Sequence, residues 1–401
     1  MPSRIRTGLA RMLGLGAASA TPEETKASRT ARLIALSAFG QAVWSPRDPS
    51  SFAREGFAKN PIVYRSVRMI AEAAASVPLY LYDGDDEVDT HPLISLVARP
   101  NQAQSAPELL EAAYGHLLVA GNAYLEAVSV GGEPRELHVL RPDRMKIVPG
   151  SDGWPEAYDY SVGGETVRFV QDVSAGVRPI LQLALFHPLN DHYGMSPLEP
   201  AAAAVDIHNQ GADWNKALLD NAACPSGALV YSAADGQLAP EQYERLKTEL
   251  EDSFSGARNA GRPLLLEGGL DWKGMGFSPK DMDFIQAKHL AAREIALALG
   301  VPPMLLGIPG DNTYSNYQEA NRTFWRQTVL PLVNRTAKAL SGWLGAGSED
   351  GLELRPDLDA VEALSVEREA LWERVRVSEF LTVNEKRAAV GYGPVEGGDV
   401  L

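Results

Sequence analysis

The chain has 401 residues, 45% of them hydrophobic and 22% charged, with a formal net charge of -15 and one cysteine, Cys224. Such a length and composition suit a soluble protein of two or three domains able to bury a core. They exclude an internal disulfide, a membrane span of roughly 18 apolar residues, and a DNA-binding protein that works by gripping phosphates through counterion release.

Residues 1–55 read as a flexible arm. Its first part is basic, with Arg4, Arg6, Arg11, Lys26, Arg29 and Arg32 against Glu23 and Glu24. The "GLGAAS" at Gly14 imitates a dinucleotide fingerprint, but no strand precedes it and the last Gly is missing. No stretch has the form of a signal peptide.

From Asn60 the pattern becomes regular. An Asn cap, Pro61 at the first helical position and apolar Ile62, Val63, Val67, Ile70 and Ala74 predict an amphipathic helix, which Pro78 ends before the strand "LYLYD". The plan then repeats: a Ser105 cap, a helix to about Ala120, a stop at Gly121-Asn122, and strands separated by "GGE". Further strands are predicted around "AYDYSVGGETVRFV" and "ILQLALFHP", so residues 60–190 read as one α+β region. The "DGDDEVD" at Asp83 lacks the Gly position and terminal Glu of a calcium loop and reads as a polar hairpin turn.

A long helix capped by Ser196 is expected to stop near Cys224-Pro225. A small β-α-β unit follows: "GALVY", the helix "PEQYERLKTELEDSFSG", and "RPLLLEGGLDWKGM". A second long helix runs from a Ser278 cap to a Gly300 stop. Then comes "GIPGDNTYSN", residues 307–316, a run of turn formers between two helical stretches that is either a slack connector or a working part. A helix from Tyr317 to about Leu344 contains Pro331, which predicts a kink. A strand near "LELRPDLDA" and helices from about Val366 to Ala389 close the chain. Trp214, Trp325 and Trp343 fall at helical spacing, as core or subunit-interface residues do.

Several chemistries find no support. There is no G-x-x-x-x-G-K-[ST] for a nucleotide phosphate. His187, His192 and His208 lack zinc-ligand spacing, and one cysteine cannot complete a site. The "GMSPL" at Ser196 lacks the second Gly of a nucleophile elbow. One periodic feature stands out: Glu199, Asp206, Asp213 and Asp220 recur every seven residues, about 10.5 Å per step, nearly on one helix face. That stripe is a solvated face, a set of partners for Lys and Arg on a neighbouring subunit, or the lining of a channel.

The ordered set "NPIVYRSVRMIAEAAASVPLYLYD", "AGNAYLEAV", "HPLNDHYGMSPLEPA", "NAACPSGALVY", "GVPPMLLGIPGDNTYSNYQEANRTFWRQTVLPLV" and "GYGPVEGGD" resembles the portal (head–tail connector) proteins of tailed bacteriophages and gene transfer agents. The resemblance implies a ring, a dodecamer, through which double-stranded DNA enters and leaves a capsid. It implies the portal fold: an α+β wing (56–196 and 317–362, including the kinked helix) and a two-helix stem (197–224 and 278–300). A small α/β clip (225–277), a tunnel-loop region (301–316) and a short C-terminal helical crown (363–401) complete it. Asp311, Asn312, Thr313, Tyr314, Ser315 and Asn316 are then the tunnel loop facing DNA. The acidic stripe becomes a band that repels phosphate, with Lys280, Lys288 and Arg293 available to pair with it between subunits. The implied partners are further copies of the chain, double-stranded DNA, the major capsid protein, the large terminase and the head–tail adaptor. No membrane, cofactor, metal or catalytic residue is implied. The implied place is the capsid vertex of a virion or phage-like particle made in the bacterial cytoplasm. The alternative is a hydrolase using acidic residues of the N-terminal α+β region.

Overall fold

The computed structural model describes residues 44–172, 176–220, 227–231, 270–274, 284–310, 314–345 and 351–400, with isolated positions 241, 244, 245 and 248. Most of the expected arm, most of the expected helix 240–256, and Lys280 lie outside the described residues. The class is α+β, with helices packed against four small antiparallel sheets.

Helix α1 (Pro61–Ala75) starts where the sequence places it. Asn60 Oδ1 accepts from Ile62 N at 3.0 Å and Val63 N at 3.2 Å, and Pro61 follows directly, where its missing donor costs nothing. A π-helical segment, Phe52–Ala58, leads into it. Strand β1 (Leu79–Asp83) turns at Gly84 into the two-residue β2 (Asp86–Glu87), so "DGDDEVD" is a polar hairpin turn. After α2 (Pro92–Ala98), helix α3 (Ala106–Ala120) carries the capping box between Ser105 and Glu108 and ends on Gly121 at φ 73°.

Strands β3 (Asn122–Val130) and β4 (Glu133–Leu140) form a hairpin, and β8 (Ile180–Ala184) pairs the other side of β3. A second sheet is the meander β5 (Met145–Pro149), β6 (Pro155–Val162), β7 (Glu165–Val170). Helix α4 (Leu198–Asp220) begins on Ser196, whose Oγ accepts from Leu198 N at 3.1 Å. It packs against α5 (Phe284–Ala298). Between them the described residues hold one antiparallel pair, β9 (Gly227–Tyr231) with β10 (Leu270–Gly274).

The helix around Pro331 differs from a simple kinked rod. It comprises α6 (Tyr314–Phe324), a π-helical turn (Trp325–Val329) and α7 (Leu330–Leu344). The wider turn resets the hydrogen-bond register, so Pro331 sits in the first turn of α7, where no intrahelical donor is needed. Strand β11 (Leu352–Pro356) then returns to pair antiparallel with β1, Leu354 opposite Leu81. The C-terminal helices expected from about Val366 to Ala389 are a hairpin of α8 (Ser365–Arg376) and α9 (Val383–Val390).

The main core lies where α1, α3, α5 and α7 meet. Val63, Ile70 and Ile295 are fully buried, as are Val67, Leu117 and Val333 to within 1%. Trp343 joins this core, and its indole donates to Arg178 O at 2.7 Å, satisfying its one polar atom.

Candidate functional site

The loop that begins at Gly307 is rooted by three local devices. Helix α5 ends with Gly300 at φ 71°, and Val301 N reaches back to Ala296 O at 2.9 Å, which buries Val301 and turns the chain. Thr328, in the π-helical turn, donates its hydroxyl to Gly300 O at 2.6 Å, clamping the end of α5 to the long helix. A short 3₁₀ turn, Pro303–Leu306, is closed by Gly307 at φ 71°.

Past that turn, Ile308 is buried against Ala292 and Ala296 of α5, and Arg293 donates to Pro309 O. Both contacts come from successive turns of one helix face, so α5 holds the loop's first limb in place. Asp311, Asn312 and Thr313 lie outside the described residues. Tyr314, Ser315 and Asn316 are helical, forming the first turn of α6 rather than loop. Ser and Asn favour helix starts as strongly as they favour turns, so the sequence reading overran the helix boundary by three residues. Ser315, Asn316, Tyr317, Gln318 and Glu319 are exposed at this end of α6.

The acidic stripe is not one uniform band. Asp206 is buried and accepts from Ser45 N at 3.0 Å and Ser45 Oγ at 2.6 Å. Asp213 pairs with Lys59 at 3.0 Å, and Lys59 also approaches Glu55 at 3.6 Å. Asp220 pairs with Lys216 of its own helix, and Glu199 is half-buried beside a polar cleft of about 590 Å³ shared with Arg47 and Asp143. The two central carboxylates therefore bind the chain's own segment 45–59. That partner, more than 150 residues earlier, is invisible to helical periodicity. The expected basic partners divide as well: Lys288 is half-buried near His208, and Arg293 serves the loop root.

One cluster was not anticipated. Asn60, besides capping α1, donates from Nδ2 to Asn209 Oδ1 at 3.0 Å and faces His208 Nδ1 at 3.2 Å. Asn209 Nδ2 in turn donates to Glu55 O at 2.8 Å. All three side chains are buried. Because Asn60 Nδ2 carries only donors, the neutral His208 ring accepts at Nδ1 and keeps its proton on Nε2. The cluster thus ties the start of α1 to α4 through hydrogen bonds alone. Its only sequence signal is the adjacent polar pair His208-Asn209 within an alanine-rich helix.

Burial, and secondarily the charge of Lys288, holds the His208 pKa below its ordinary value, and burial does the same for His116. The unfolded chain therefore binds more protons than the folded one as pH falls below about 6.5, and stability is lost in that window. The thermal midpoint should fall between about pH 7.5 and about pH 5.5, and replacing His208 and His116 with Gln should flatten that slope. Calorimetry across that range checks it.

Among the described residues no group of three His, Cys, Asp or Glu side chains is placed to hold a metal ion, and no helix is long and apolar enough to cross a membrane. The sequence matches the family described as phage portal protein over residues 61–391. It is 27% identical over 369 residues to the portal protein of Enterobacteria phage HK97, spanning 88% of this chain and 83% of that one. Among solved structures, a chain in the neck of an empty gene transfer agent particle, computed with C6 symmetry, superposes with a TM-score of 0.70. It is 57% identical and covers 89% of this chain and 96% of its own. A chain in the neck of the native particle, computed with C12 symmetry, gives a TM-score of 0.67 at 56% identity over the same shares. Portal proteins are structural and non-enzymatic, which overturns the hydrolase alternative. With residues 61–391 matched in order, the chain belongs to the phage portal protein family.

Proposed function

We propose that this chain assembles into a twelve-fold ring at the capsid vertex of a phage-like particle. The ring conducts double-stranded DNA in during packaging and out during delivery. It offers the terminase motor, and later the head–tail adaptor, a docking face built from residues 225–277, while the major capsid protein surrounds it. The observation that carries this reading is the likeness to chains in a particle neck of C12 symmetry at 56% identity. The rooted loop supports it: Ile308 packs on α5 and Arg293 donates to Pro309 O, so the limb at 307–310 is anchored, and α6 begins again at Tyr314.

Of residues 311–316 only Asp311 is charged, and it is negative. Hydroxyl and amide groups there contact phosphates without the salt-dependent grip of Lys or Arg, which suits a passage that must admit DNA and then check its return. Electron microscopy of the purified full-length protein tests the ring: particles with a central hole support it, and compact monomers at high concentration sink it. For the loop, removing residues 311–313 should leave rings of unchanged diameter while particles protect less DNA from nuclease. Unchanged DNA content would make the loop a plain connector, and loss of rings would make it a structural element.

A further inference from the structure

The C-terminal hairpin carries both halves of a contact that it does not make with itself. Helices α8 and α9 flank an open groove of about 980 Å³ lined by Trp372, Val375, Val383 and Val390 among charged side chains of both helices. Trp372 and Tyr392 pack edge to face at 5.9 Å, so the groove wall is preformed. Lys386 stands on its rim, half-buried, and its side chain makes no ion pair among the described residues.

The turn joining the helices presents Val377, 62% exposed, and Phe380, 77% exposed, and neither lines the groove. Glu379 lies between them, exposed and likewise without an ion pair among the described residues. This turn is not slack. Ser378 N bonds Val375 O at 3.2 Å, Ser378 Oγ bonds Arg374 O at 2.8 Å, and Thr382 with Glu385 closes a capping box at the start of α9. An exposed aromatic held on a fixed turn loses little freedom when it docks.

We propose that Phe380 and Val377 of one copy seat in the α8–α9 groove of the adjacent copy, with Glu379 against that copy's Lys386. The occupant is a second copy of this chain because the turn's exposed apolar and acidic side chains match the groove's apolar residues and Lys386, yet the two surfaces are separate on one molecule. Such a head-to-tail pairing generates a ring when the rotation between successive copies closes. The inference rests on the ring reading above and adds a contact that locks neighbours at the C-terminal end.

The test uses the full chain with Cys224→Ser as background, adding Glu379→Cys and Lys386→Cys together. Mild oxidation of intact rings should yield a ladder beyond the dimer on a non-reducing gel, collapsing on reduction. Either single cysteine variant should give nothing above a dimer. Rings seen by microscopy that give only monomers or dimers from the double variant would overturn the contact and leave the ring reading standing. Absence of rings in the unmodified chain would overturn both. A cysteine-free check is Phe380→Asp, which should lower the urea concentration at which rings dissociate; an unchanged midpoint would also overturn the contact. Combining Glu379→Lys with Lys386→Glu should recover rings that either change alone weakens.

Discussion

Gly194→Ala is expected to leave almost no folded protein. A Cβ at Gly194 would come within 2.5 Å of Leu185 N and 2.7 Å of Leu185 O, and would press on Gly121 O as well. All three are backbone atoms, so no side chain can swing aside to relieve the overlap. The junction is also closely bonded. Leu185 N donates to Gly121 O at 2.9 Å, Gly194 N donates to Asn122 Oδ1 at 2.8 Å, and Asn122 Nδ2 donates to Gly194 O at 3.1 Å. Moving the chain to make room breaks these buried bonds, each worth on the order of 1 kcal/mol net and more when a partner is left unsatisfied.

The same junction delivers Ser196 to Val119 O, at 2.8 Å, and so sets where α4 begins. The expected loss exceeds about 4 kcal/mol, beyond the range of ordinary point substitutions. Soluble yield and urea unfolding measure it. Gly115→Ala provides the contrast, since a Cβ there meets nothing within 4 Å and the residue lies inside α3. That change should stabilise by roughly 0.5–1 kcal/mol. Equal effects at the two positions would refute the steric account.

Asn60→Ala should cost roughly 2–4 kcal/mol, because one side chain serves two structures. Loss of the cap on α1 accounts for about 1 kcal/mol. The rest comes from Asn209 Oδ1 and His208 Nδ1, buried acceptors left without a donor. Asn60→Asp separates the two roles. The carboxylate still caps Ile62 N and Val63 N but now faces His208 as an anion. The folded pKa of His208 then rises, so its contribution is present below about 6.5 and is lost as pH climbs through the raised value. The acid-side slope of the midpoint should therefore shrink or reverse in Asn60→Asp. An unaltered slope would place the acid sensitivity elsewhere, His116 being the next candidate.

These residues also mark how far the sequence reaches. Asn60-Pro61, the Ser105 and Ser196 caps and the stops at Gly121 and Gly300 were legible because each acts within a few residues of itself. A capping oxygen or a left-handed glycine is a local instruction. The portal family was suggested by the resemblance of an ordered set of sequence stretches, from "NPIVYRSVRMIAEAAASVPLYLYD" to "GYGPVEGGD", and the match over residues 61–391 bears it out. The boundary at residue 314 was missed because Ser and Asn send the same local signal for a turn and for a first helical turn.

What the sequence left open was direction and partnership. The seven-residue recurrence of Glu199, Asp206, Asp213 and Asp220 defined a helix face but not what covers it. Only the folded chain brings Ser45 and Lys59 against its middle. Pro331 announced a disturbance, while the π-helical turn that absorbs it, and the use of Thr328 within that turn to hold Gly300, depend on where α5 ends in space. Arg293 was available as a cation for a neighbour, and the tertiary structure commits it to Pro309 O. A side chain's chemistry is set by its own atoms. Its role is set by whichever distant segment the packing of α1, α4, α5 and α7 brings within about 3 Å, a hydrogen-bond length.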